Sequence, residues 1–143
     1  MASKLSYGQE ASRSKTRVMV VDDSPGVLDS LVLLLIHFGF DTAGFLDASD
    51  AFAVLNEYKP DVAICDAHME EVEDGDEPVP QRIKGIETAS KIKRARPGCK
   101  VIVLSGNLKP KTVIDRAERL GAKVLMMPKP GNPRELISKV RAG

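Results

Sequence analysis

This chain lacks a dominant charge, a long apolar run, a cysteine framework and, beyond Tyr58, any aromatic residue. Its 21 basic and 20 acidic residues leave a net charge of +1, which gives no electrostatic ground for nucleic-acid or membrane-surface binding. No apolar stretch approaches the roughly 20 residues of a membrane span. Residues 1–15 are polar and serine-rich without an apolar centre, so they do not read as a secretory signal. Cys65 and Cys99 have neither CxxC spacing nor histidine companions, and they read as reduced, packed thiols rather than a disulfide or metal site. The expected compartment is cytoplasmic. What remains is ordinary globular material: 143 residues, 43% hydrophobic and 29% charged, enough for one domain with a real core.

Within that material two rhythms alternate. Apolar runs at 17–21, 40–45, 61–65, 100–104 and 123–127 predict strands, the second less apolar and so nearer a sheet edge. Between them, helices are predicted from Ser24-Pro25 to about Phe38, from Ala48 to Tyr58, over Lys84–Arg96, over about 109–120, and from Pro133 to Arg141. The inward face of the first is expected at Val27, Leu28, Leu31, Leu34 and Leu35, and that of the second at Ala51, Phe52, Val54 and Leu55. Ser24, Asp47 and Asn132 stand at N-cap positions, and Gly39, Lys59-Pro60 and Gly121 at the stops. Residues 1–16 read as a flexible tail, and 67–82 show neither period. The pattern is (βα)5, a three-layer α/β sandwich on a parallel sheet.

Four of the strands run directly into chemistry: Asp22-Asp23, Asp66, Ser105 and Lys129. Ligands of open α/β sheets gather at the carboxyl ends of the strands, so these groups are expected to share one edge. Three converging carboxylates repel one another unless a cation joins them. All-oxygen donors without a His or Cys cluster point to Mg²⁺, which keeps several waters and accepts a phosphate oxygen. An aspartate can take a phosphoryl group covalently, with a lysine and a hydroxyl stabilising its oxygens. The plainer alternatives are that Asp22-Asp23 cap the first helix, that Asp66 and Ser105 sit in turns, and that Lys129 is a surface lysine.

VVDDSP, ICDAHM, VLSGN and GAKVLMMPKP, in this order, resemble the signatures of response-regulator receiver domains, the phosphoacceptors of two-component signalling. The resemblance spans roughly residues 17–142 and implies a flavodoxin-like sheet of order 2-1-3-4-5. It implies that Asp66 is phosphorylated, that Asp23 ligates Mg²⁺ directly and Asp22 through water, and that the backbone carbonyl of His68 completes the protein's share. It further implies that Ser105 bonds the phosphoryl oxygens, that Lys129 pairs with carboxylate or phosphate, and that Lys129-Pro130 is often cis in the family. The implied partners are a histidine kinase or histidine phosphotransfer protein and a downstream protein target, with no nucleic acid and no membrane. The protein would be a signalling phosphoacceptor that catalyses its own phosphorylation and dephosphorylation, not a turnover enzyme. A Mg²⁺-dependent phosphohydrolase with Asp66 as nucleophile is the enzymatic alternative, but such enzymes place an acid where His68 stands.

Two departures from the family pattern stand out. The glycine that usually follows the phosphoacceptor by about eight residues corresponds to Gly85, so a stretch at about 70–82 is an insertion within the 17–143 domain. It carries Glu70, Glu71, Glu73, Asp74, Asp76 and Glu77, and reads either as a solvated loop or as a lid beside the site. Secondly, Met126 stands where receivers usually carry Tyr or Phe three residues before the lysine. An aromatic flip is therefore excluded, and activation is expected to be read nearer the site, through the loop or Ser105-Gly106-Asn107.

Overall fold

The computed structural model describes residues 15–66, 84–105, 115, 119, 125–128 and 133–142. Five parallel strands, β1 (Arg17–Val21), β2 (Asp41–Phe45), β3 (Val62–Asp66), β4 (Lys100–Ser105) and β5 (Leu125–Pro128), form one sheet of order β2-β1-β3-β4-β5. The described helices are α1 (Pro25–His37), α2 (Ala48–Tyr58), α3 (Lys84–Ala95) and α4 (Pro133–Arg141). This is the expected α/β architecture, with the weakly apolar β2 at the edge. The helix expected over 109–120 lies outside the described residues except for Asp115 and Arg119, which are helical. Residues 1–14 of the tail, the 70–82 insertion, Gly121 and Asn132 also lie outside them.

The central strands are apolar on both faces because helices cover both. Met19, Val21, Ala63, Cys65, Val101 and Val103 pack with Ala51, Leu55, Ile86, Ala89 and Ile92. The alternate residues Val18, Val20, Ile64, Ile102 and Leu104 pack with Leu28, Leu35, Leu136, Ile137 and Val140. The period of two thus sorts each strand between the α2/α3 layer and the α1/α4 layer.

On α2 the inward face is as expected, with Ala51 and Leu55 buried and Phe52 and Val54 packed against them. On α1 Leu28 and Leu35 are buried and Leu31 and Leu34 half-buried, but Val27 faces outward at 38% exposure, as do Leu33 and Ile36. Nearly every position from Val27 to Ile36 is apolar, so periodicity cannot mark the centre of the stripe. A close approach decides it. A Cβ on Gly44 of β2 would lie 2.8 Å from Val32 Cγ2 and 3.0 Å from Leu28 Cδ1, so glycine lets α1 sit directly on the edge strand.

Helix ends follow local chemistry. Asp47 Oδ1 accepts from Ser49 N at 3.0 Å, capping α2 as expected. Gly39 at φ +94° turns the chain out of α1, where Phe40 N donates to Leu35 O at 3.0 Å. Lys59, at φ 53°, ends α2 in the left-handed region. The Lys91, Lys93, Arg94 and Arg96 group, which reads from sequence as a solvated face, is only partly that. Lys93 Nζ donates to Pro97 O and Cys99 O, both at 2.8 Å, and locks the turn between α3 and β4. Lys100 Nζ likewise donates to carbonyls at the end of α4, those of Lys139 and Val140, and to that of Ala142 just beyond it.

The amino edge of the sheet is held by a polar clamp. Arg17 donates through Nη1 to Tyr58 O at 2.8 Å and lies 3.8 Å from the Asp41 carboxylate, while its backbone N–H reaches Asp61 Oδ2 at 2.9 Å. Tyr58 donates its hydroxyl to Asp41 O at 2.7 Å. Burial, reinforced by the Asp41 charge, pushes the Tyr58 phenol well above its ordinary range. Tyr58→Phe is expected to lower stability in urea unfolding at pH 7 by roughly 1–2 kcal/mol. A raised native pKa means that the contribution is complete below the unfolded-state value of 10.0 and erodes as pH climbs past it. The difference between wild type and variant should therefore narrow above that pH.

Candidate functional site

The register of β1 against β3 builds the site. Val21 pairs with Cys65, so the next residues, Asp22 and Asp66, come level at the carboxyl edge. The Asp22 N–H continues the ladder on the other side, donating to Phe45 O at 3.0 Å. By the alternation along each strand, both acids fall on the α1/α4 side. Carboxylate oxygens of Asp22, Asp23 and Asp66 all lie within 4.8 Å of one another. Asp22 and Asp66 are 1% and 5% exposed, whereas Asp23 faces solvent. Two buried acids below an exposed one make a shallow cup of negative charge.

That donor set fits a hard divalent cation. Its oxygens are spaced for shared ligation, no sulfur or imidazole joins them among the described residues, and a cation would offset a repulsion that burial otherwise strengthens. Of the other expected site residues, Ser105 ends β4, one residue beyond Leu104, the partner of Asp66. It pairs with Pro128, the last residue of β5. Lys129 follows Pro128 and, like His68 and Asn107, lies outside the described residues. Met126 occupies β5 opposite Val103.

One local expectation is corrected. Ser24 stands at the N-cap of α1 with φ −95° and ψ 112°, but its side chain makes no capping hydrogen bond. Its backbone N–H instead donates to Asp22 Oδ1 at 2.9 Å. The sequence pattern correctly marks where the helix begins; it does not reveal that the acid two residues upstream takes the donor.

Cys65, beside Asp66, offers no competing nucleophile. It is fully buried, and burial pushes its thiol far above the ordinary range. Burial also raises Cys99, to about 11, against the lowering effect of Lys93 and Arg96. Thiolates are the reactive form, so neither cysteine should react with a disulfide reagent at pH 8 in the native protein. Both should react once urea unfolds the chain, and rapid labelling of the native protein would contradict this packing.

A parallel sheet of this order with three acids at its switch point is a doubly wound α/β domain with a candidate cation site. The family model described as response regulator receiver domain matches residues 18–141. The DNA-binding response regulator MtrA of Mycolicibacterium smegmatis is 30% identical over 128 residues, covering 90% of this chain and 50% of MtrA. A CheY-like receiver domain protein from Methanospirillum hungatei superposes with a TM-score of 0.71 at 26% identity, covering 90% of this chain and 92% of that one. The chemotaxis protein CheY4 of Vibrio cholerae shares the fold with a TM-score of 0.72 at 20% identity, covering 90% and 98%. The chain belongs to the response regulator receiver domains of two-component signalling. It spans about half the length of the MtrA relatives it matches. No described helix is long and apolar enough to cross a membrane.

Proposed function

We propose that this receiver accepts a phosphoryl group on Asp66 in a Mg²⁺-dependent reaction and thereby switches its binding to a protein partner. The convergence of the Asp22, Asp23 and Asp66 carboxylates within 4.8 Å carries this reading. Asp23 is the exposed acid and the natural direct ligand. Asp22 already accepts from Ser24 N and is buried, which suits it to hold a metal-bound water. Asp66 is both ligand and acceptor, and the carbonyl of His68 completes the set. Mg²⁺ would neutralise the crowded carboxylates and the oxygens of the incoming group.

In the transfer a carboxylate oxygen of Asp66 attacks the phosphorus of a phosphohistidine. The new O–P bond forms as the P–N bond breaks, and the departing imidazole takes up a proton. Ser105 donates to the phosphoryl oxygens and Lys129 supplies the counter-charge. The donor is a histidine kinase or histidine phosphotransfer protein, and the output is a downstream protein. MtrA is a DNA-binding regulator, but the balanced charge of this chain gives no electrostatic ground for nucleic-acid binding. The domain is a self-catalysing phosphoacceptor rather than a turnover enzyme, and it works in the cytoplasm. We take the domain to begin at residue 17 and the acidic stretch 70–82 to be an insertion within it.

Intact-mass spectrometry after incubation with acetyl phosphate tests the reading. Wild type should gain one phosphoryl group with Mg²⁺ and none with EDTA. Asp66→Asn should gain none under either condition. Phosphorylation of that variant to the wild-type extent would move the acceptor elsewhere.

A further inference from the structure

The arrangement at the start of α1 assigns a task to two residues outside the acid trio. We infer that Ser24 and Pro25 act as positioning residues that fix the Asp22 carboxylate for divalent-cation binding, through the Ser24 backbone rather than its hydroxyl. The inference rests on the metal-binding reading above and deepens it.

Three observations carry it. Ser24 N lies 2.9 Å from Asp22 Oδ1, while the Ser24 hydroxyl makes no capping bond to α1. Pro25 occupies the first turn of the helix. A proline disfavours the helical region for the residue before it, because its Cδ would then crowd that residue's N–H. Ser24 is accordingly extended, at φ −95° and ψ 112°, and its N–H is left open to the carboxylate. Finally, Asp22 is 1% exposed and its own N–H is tied to Phe45 O at 3.0 Å. Backbone and side chain of the acid are thus both fixed, with Oδ1 engaged and the carboxylate turned by a donor that cannot rotate. A carboxylate so held loses less conformational freedom when a cation binds. The charge on Oδ1 is partly satisfied without any cation, which lets a buried acid remain in the cup when the metal leaves.

The usual reading of serine at an N-cap makes the opposite prediction, since it places the value of Ser24 in its hydroxyl. Magnesium affinity by titration calorimetry, melting temperature in EDTA, and the Mg²⁺ dependence of acetyl-phosphate labelling separate the two. Ser24→Ala keeps the N–H and should leave Mg²⁺ affinity and metal-free melting unchanged. Ser24→Pro removes the donor, at the cost of moving φ from −95° toward proline's own value, and should weaken Mg²⁺ binding about tenfold, the scale of losing an outer-shell partner. Labelling of this variant should need correspondingly more Mg²⁺ yet reach the wild-type plateau rate, a split that general destabilisation does not produce. Pro25→Gly, which frees Ser24 but keeps its N–H, should fall between, and it decides the matter if Ser24→Pro melts early in EDTA. Wild-type Mg²⁺ affinity in a folded Ser24→Pro, or in Pro25→Gly, would overturn the inference, as would weakened Mg²⁺ binding in Ser24→Ala. Asp23→Asn is the separate control. If it binds Mg²⁺ as tightly as wild type, the metal-site reading itself fails, whatever the Ser24 and Pro25 variants do.

Discussion

The pairing of β1 with β3 in a single register is the constraint on which the rest depends. Val20 lies opposite Ile64 and Val21 opposite Cys65, so Asp22 and Asp66 emerge together on the same side of the sheet. A slip of one residue would send the Asp66 side chain into the α2/α3 layer and bring Cys65 to the α1 side. Such a slip is blocked by apolar packing, because both strands are buried on both faces and every side chain has a fixed layer. Hydrophobic burial, which has no charge preference of its own, is therefore what holds like charges together.

The two edges of the sheet treat acids in contrasting ways. At the amino edge, Asp41 and Asp61 each meet donors from Arg17 or Tyr58. Lys93 and Lys100 at that end take up backbone carbonyls left by a turn and by the last turn of α4. At the carboxyl edge three carboxylates converge instead. The amino edge thus pairs its acids with donors from neighbouring elements, whereas the carboxyl edge gathers three of them where a cation would fit.

Most of the architecture was legible because the local signals agreed. Apolar runs bounded by turns marked the strands, and Ala48–Tyr58 and Pro133–Arg141 came out with the bounds expected of them. The acid cup was legible for a related reason: an apolar strand that ends abruptly in carboxylates has few structural motives for doing so. Val27 was misplaced because a helix with almost unbroken apolar sequence has no contrast between faces, and its rotation follows from what it packs on, Gly44 of β2 and the core around Leu28 and Leu35. Lys93 looked like one charge in a solvated row, whereas its task depends on two carbonyls presented by the following turn. The role of the Ser24 N–H was hidden for a similar reason, since residue type advertises a side chain and says little about where a backbone donor points.

Gly44 also bears on how this domain deforms. With no room for a methyl group between β2 and the Leu28 and Val32 side chains, the edge strand and α1 mesh like cog and rack. Any larger residue at position 44 would have to push Leu28 and Val32 aside and lift α1 from β2, the strand whose base Tyr58 ties through Asp41 O. The helix that follows the Asp22-Asp23 pair is thus seated on the edge strand by a side chain that is missing.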